Sequence, residues 1–83
     1  MTRYYFNIRY GERVFDDEEG SEHASQDAAW HEATQACGEM LRDLDGRIRD
    51  GEEWRMEVTN KEREVIFLLR FTAEKGLEYV SRQ

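Results

Sequence analysis

The sequence predicts a small α+β domain of ββαββ order, a four-stranded sheet with a single amphipathic helix on one face. Three observations carry this reading. An alternating apolar pattern opens the chain, a stripe of apolar residues at helical spacing fills the middle, and two alternating segments joined by a polar turn follow it.

The opening strand is "RYYFNIRY", residues 3–10. It sets Tyr4, Phe6, Ile8 and Tyr10 on one side of an extended chain and Arg3, Tyr5, Asn7 and Arg9 on the other. The first set is a core face. The second set, two arginines framing an aromatic, suits a partner better than plain water. Gly11-Glu12 follows as a two-residue hairpin loop, because glycine takes the positive φ that the first position of a type II′ turn requires. Residues 13 to about 17 then return as a second strand. With that loop Phe15 opposes Ile8 and faces the core, whereas a three-residue loop turns Val14 inward instead. "DDEEGSEHAS" reads as a polar loop closed by Gly20 and by Ser25 as a helix N-cap.

From Gln26 the period changes. Trp30, Ala33, Cys37, Met40, Leu41, Leu44 and Ile48 recur at helical spacing, and Ala29 and Ala36 are small enough to let a helix sit close on a sheet. Its end falls between Asp45 and Arg49. Arg47, Arg49 and Gly51 favour the later stop, as cations near the carbonyl end and a glycine cap.

In the third strand Trp54, Met56 and Val58 alternate with Arg55, Glu57 and Thr59, and "EVIFLLRF" returns after residues 60–63. Pairing Thr59 with Glu64 sets Val58 opposite Val65, Met56 opposite Phe67 and Trp54 opposite Leu69. The fourth strand is apolar on both sides, which suits a central position. The expected sheet order is therefore 2-1-4-3, β-grasp-like, with the first and fourth strands parallel in the middle. The all-antiparallel order 2-1-3-4 leaves the apolar fourth strand at an edge. Residues 1–71 form the domain, and residues 72–83, with Leu77, Tyr79 and Val80, are a tail, a short helix or an added strand. The expected core is Tyr4, Phe6, Ile8, Trp30, Ala33, Cys37, Leu41, Leu44, Trp54, Met56, Val58, Val65, Phe67 and Leu69.

"RYYFNIRYGERVFDDEEG", an alanine-bearing helix and a Trp-x-x-x-Val strand ahead of Phe71 resemble a family of short uncharacterised bacterial proteins, mainly alphaproteobacterial. Members open with Arg-Tyr-Phe-Phe or similar and carry an Asp-x-Glu-Gly stretch. The matching residues are Arg3, Tyr4, Tyr5, Phe6, Gly11, Asp17, Glu19, Gly20, Trp54 and Val58, and the resemblance covers residues 2 to about 71. It implies no activity.

Composition narrows the function classes. Charged residues make up 37% of the 83 positions and mean hydropathy is -0.94, yet ten aromatics in periodic runs supply the burial that disordered chains lack. No apolar stretch approaches the roughly 20 residues of a membrane span, and the opening strand does not read as a signal peptide. One cysteine, Cys37, forms no intrachain disulfide and agrees with a reducing, cytoplasmic setting. The net charge of -7 is uneven. Residues 14–41 hold eight acids and neither lysine nor arginine, so a cationic patch elsewhere is compatible with an acidic chain.

The acidic run is not an EF-hand: counted from Asp16, glycine falls fifth instead of sixth and position twelve is Asp27. It reads as a solvated loop before a helix N-terminus. His31 and Asp27 make a surface pair, His23 stands alone, and Cys37 belongs to the apolar stripe. Phosphate-loop, dinucleotide and nucleophile-elbow motifs are lacking. The expectation is a protein that is not an enzyme and takes no cofactor or metal.

What remains is the outer sheet face, Arg3, Tyr5, Asn7, Arg9, Arg55, Ile66, Leu68 and Arg70, beside Glu57. Arginines around apolar side chains suit a protein interface, most simply a homodimer. The rival reading is a surface for single-stranded nucleic acid, Tyr5 stacking a base and arginines holding phosphates. One tyrosine, few lysines and an acidic chain argue against it. The tail is a third candidate cover for the face.

Overall fold

Five strands and one helix follow one another as β1 (Thr2–Tyr10), β2 (Arg13–Phe15), β3 (Ser21–His23), α1 (Gln26–Leu44), β4 (Glu53–Thr59) and β5 (Val65–Thr72). They come from a computed structural model that describes residues 1–44 and 47–74. The fold is α+β, with an antiparallel sheet ordered β2-β1-β4-β5 and β3 paired to the other half of the β1 edge. Asp45, where the helix end was expected to fray, and Leu77, Tyr79 and Val80 of the expected tail lie outside the described residues.

The expected strand order is corrected. β1 lies beside β4, antiparallel, with Phe6 opposite Val58 and Ile8 opposite Met56, while β5 takes the edge. No parallel pair exists among the described strands, so the sheet is not β-grasp-like. Two-sided apolarity had marked the last strand as central, but β4 holds the centre: Trp54, Met56 and Val58 are all buried. The charges of β4 do not oppose that position, because Arg55 lies between Glu53 and Glu57 on the same strand.

The β4–β5 register also differs, by two residues. Val58 faces Phe67, Met56 faces Leu69 and Trp54 faces Phe71, with a bulge between Val58 and Thr59. Beyond the bulge the two-residue shift keeps Phe67 and Leu69 on their expected inner face, whereas Val65, expected opposite Val58, pairs with Thr59 and is exposed. The tight turn explains it. Asn60 receives the amides of Glu62 and Glu64 on its side-chain oxygen, at 3.0 and 2.9 Å, and Arg63 takes a left-handed φ of 67°. The turn thus consumes Glu64, which had been assigned to the ladder.

At the other hairpin Tyr10 pairs with Arg13 and Ile8 with Phe15, so the loop is the two residues Gly11-Glu12, Gly11 at φ 58°. β2 stops at Phe15 instead of about residue 17, and Phe15, although opposite Ile8, stays exposed. β3 was missed altogether. Its three residues Ser-Glu-His carry no apolar alternation, and their strand state comes from pairing with Thr2–Tyr4.

Ser25 caps the helix as expected: its Oγ accepts the Ala28 amide at 3.1 Å and its carbonyl the Ala29 amide at 3.1 Å. Ala29 and Ala33 have no exposed surface, so the helix backbone lies close on the sheet, with the Cys37 sulfur 3.8 Å from that of Met56. The helix ends at Leu44, short of the favoured stop. Arg47 still serves the carbonyl end, but from outside: its side chain donates to the carbonyls of Leu44, at 2.9 Å, and Asp43. Gly51, at φ 83°, belongs to a later turn whose amide donates to the carbonyl of Ala73.

The core is accordingly narrower than expected. Tyr4, Ala29, Ala33, Cys37, Trp54, Met56 and Val58 are buried, and Phe6, Ile8, Leu44, Phe67 and Leu69 pack half-buried around them. Trp30, Leu41 and Val65 are exposed, contrary to expectation. Trp30 lies over the edge strand, its ring centroid 4.9 Å from that of Phe67, where no further described strand covers its outer side.

Candidate interaction surface

On the face away from the helix the registers assemble three rows across β1, β4 and β5. Arg9 faces Arg55, which faces Arg70; Asn7 faces Glu57, which faces Leu68; Tyr5 faces Thr59, which faces Val65. The eight residues singled out on this face divide into two groups.

Arg3, Tyr5 and Asn7 are occupied within the chain. Between Tyr4, which pairs with β3, and Ile8, which pairs with β2, the β1 edge has no strand partner. Asp17 fills that gap. One carboxylate oxygen accepts the Phe6 amide at 3.1 Å and the other accepts the Gly20 amide at 2.9 Å, while the Asp17 amide donates to the Asn7 side chain at 2.9 Å. The acidic run is therefore not simply a solvated loop. The signal was present as an aspartate shortly before a glycine, residue types that favour a turn closed by the carboxylate on a downstream amide.

Gly20 follows from the same turn. Its φ is 69°, and a Cβ there would lie 2.7 Å from the Tyr4 carbonyl oxygen and 2.9 Å from the Tyr5 ring. Over that ring lies the Arg63 guanidinium, 3.6 Å from the centroid, a cation–π contact. Arg3 donates to the Glu19 carbonyl at 2.6 Å and meets the Glu22 carboxylate at 3.6 Å. Thr59, in the Tyr5 row, is 4% exposed, and its hydroxyl has no hydrogen-bond partner among the described residues.

Arg9, Arg55, Ile66, Leu68 and Arg70 form the second group. Arg55 is half-buried and balanced by Glu53 and Glu57 at 3.9 and 3.8 Å. Arg9 and Arg70 are exposed and make no ion pair among the described residues. Ile66 is half-buried, whereas Leu68 retains 47% of its surface and Val65 54%.

Residues 3–72 match DUF6894, a domain of unknown function. The chain belongs to the DUF6894 family. Within this DUF6894 domain lie the helix, the five described strands apart from Thr2, and the whole of the candidate surface. No curated protein and no solved structure matches the chain.

The remaining chemistry-bearing side chains of the DUF6894 domain are dispersed. Cys37 is buried, and burial pushes its thiol pKa up, away from the thiolate a nucleophile needs. His31 and Asp27 lie 3.6 Å apart on the exposed side of the helix, and His23 packs against the rings of Tyr4 and Phe6. No cluster of metal-ligating side chains occurs among the described residues. Sequence reasoning missed one concavity. It is an open groove of about 940 Å³ near the helix end, lined by Tyr10, Phe15 and Leu44 together with Arg13, Arg47 and Arg49. Partial burial and the neighbouring Glu52 carboxylate raise the Tyr10 hydroxyl above the usual phenol range. Glu52 is itself engaged, accepting the Arg49 amide at 2.9 Å.

Proposed function

We propose that this DUF6894 domain is a non-catalytic protein-interaction module, that its partner is a second copy of itself, and that contact is made through the part of the outer sheet face formed by Arg9, Arg55, Ile66, Leu68 and Arg70. The observation that carries this is the arginine row beside exposed Leu68, on a sheet face that no described helix covers. Exposed apolar side chains on a sheet gain roughly 1.5–3 kcal/mol each on full burial, and arginine is enriched where interfaces form. The acidic segment around residues 16–22 offers rim charges of opposite sign, which act more on association rate than on affinity. Cysteine usage and the resemblance to short bacterial proteins support a bacterial cytosol as the setting.

Single-stranded nucleic acid is the second reading, and the arginine row favours it as a set of phosphate contacts. Against it, the Tyr5 ring on which a base would stack is already covered by Arg63. Sedimentation equilibrium of the full chain at physiological salt separates the two. The expected result is a concentration-dependent dimer that an Arg9→Glu, Leu68→Glu double substitution converts to monomer, with no retention of single-stranded oligonucleotides. A monomer that binds oligonucleotides with steep salt dependence reverses the assignment.

A further inference from the structure

The ladder between the first two strands sets a charge on the side of the sheet that faces the helix. Tyr10 pairs with Arg13 and Ile8 with Phe15, and paired residues share a face, so Arg13 and Phe15 stand on the core side. The helix stops at Leu44, and both residues remain exposed. With Tyr10 and Leu44 they line the groove of about 940 Å³, a size within the roughly 300–1,000 Å³ of small-molecule sites.

Two further arginines line it from the chain that follows the helix. Arg47 is pinned by the helix end: its Nε donates to the Leu44 carbonyl at 2.9 Å and its Nη2 to the Asp43 carbonyl, which leaves Nη1 without a hydrogen bond among the described residues. Arg49 and Arg13 are the two cations whose charge acts on the Tyr10 hydroxyl, and neither makes an ion pair among the described residues. The lining also holds two carboxylates. Glu52 is spent within the chain, accepting the Arg49 amide at 2.9 Å beside the Tyr10 hydroxyl, and Glu12 lies exposed in the hairpin loop. Guanidinium groups thus prevail over carboxylates next to an apolar wall of Phe15 and Leu44.

We infer that this groove binds a small organic anion with a planar apolar body, its acidic headgroup held by Arg13 and Arg49 and its rings against Phe15 and Leu44. A guanidinium fork matches carboxylate, sulfonate or phosphate oxygens two at a time, and the pinned Arg47 adds a donor that loses little freedom on binding. The apolar wall distinguishes this ligand from a bare inorganic anion. The groove lies on the helix side of the sheet, so its occupation is independent of the contact proposed for the outer face.

Anilinonaphthalene sulfonate combines both parts and brightens in apolar surroundings. It is expected to bind the full chain saturably and to bind an Arg13→Gln, Arg49→Gln double variant about tenfold or more weakly, because hydrogen bonds to charged groups are the stronger kind. Both arginines are exposed, so the thermal midpoint of the variant is expected to stay near that of the wild type. Phenylnaphthylamine, which keeps the rings and lacks the sulfonate, is expected to bind both proteins weakly and alike. Amide chemical shifts of the wild type supply the location, with movement expected at Tyr10, Arg13, Phe15 and Leu44. Equal affinity of the sulfonate for wild type and double variant overturns the inference, as do shifts centred on Leu68. Absence of binding at millimolar probe also overturns it and leaves Arg13 as an inward charge that closes a strand edge.

Discussion

The Asp17 carboxylate accepts the amide of Phe6 across eleven residues of chain, in the gap between the two short strands that share the β1 edge. The side chain stands where a neighbouring strand would have placed a carbonyl, and its other oxygen closes the turn at Gly20. One residue therefore holds the strand edge and the loop that crosses it.

Asp17→Ala removes both acceptors from partly buried amides. Hydrogen bonds to charged groups contribute about 1.5–3 kcal/mol, so a loss of that order is expected in urea denaturation, read as a lower midpoint at unchanged slope. Asp17→Asn, which retains one acceptor oxygen, is expected to fall between the two.

Two glycines respond oppositely to alanine. At Gly20 a methyl group meets the Tyr4 carbonyl and the Tyr5 ring in a left-handed backbone, and the loss is expected to exceed about 1 kcal/mol. At Gly38, on the exposed side of the helix with nothing within 4 Å, alanine is expected to stabilise by up to about 1 kcal/mol. Thermal melts of both variants check the contrast.

Thr59→Val replaces a buried hydroxyl that has no partner among the described residues with a methyl group of similar shape. The variant no longer carries an uncompensated desolvation cost and is expected to gain about 1 kcal/mol. A destabilised variant in the same denaturation assay indicates that the hydroxyl is bonded after all.

Cys37 sets an alkaline dependence. Its thiol pKa is raised by burial, so the folded state holds its proton to higher pH than the unfolded chain does. That stability contribution is complete below the ordinary thiol pKa of about 8.5 and is lost as pH rises through the folded value. The wild type is therefore expected to weaken above that pH more steeply than Cys37→Ser, and native alkylation at neutral pH is expected to be slow.

The periodic elements were legible in the sequence because one buried face dictates them. β1, the helix start at Ser25 and the faces of β4 and β5 follow from alternation and from a cap residue. What was not legible is what depends on partners. β3 is a strand only because β1 lies beside it, and sheet order depends on which strands pair, which composition does not encode. The same holds at the surface. Alternation put Arg9, Arg55, Leu68 and Arg70 on one face, whereas their rows follow from the observed pairing, and the removal of Arg3, Tyr5 and Asn7 from that surface depends on a turn closed by Asp17 and on Arg63 far along the chain.

The interruption of the β1 side of the sheet bears on what that side can offer. β2 and β3 are three residues each, separated by an acidic crossing, and they present no continuous ladder to a strand from outside. The side of the sheet that carries the Asp17 turn is thereby closed to extension, as charge and shortness close edge strands elsewhere.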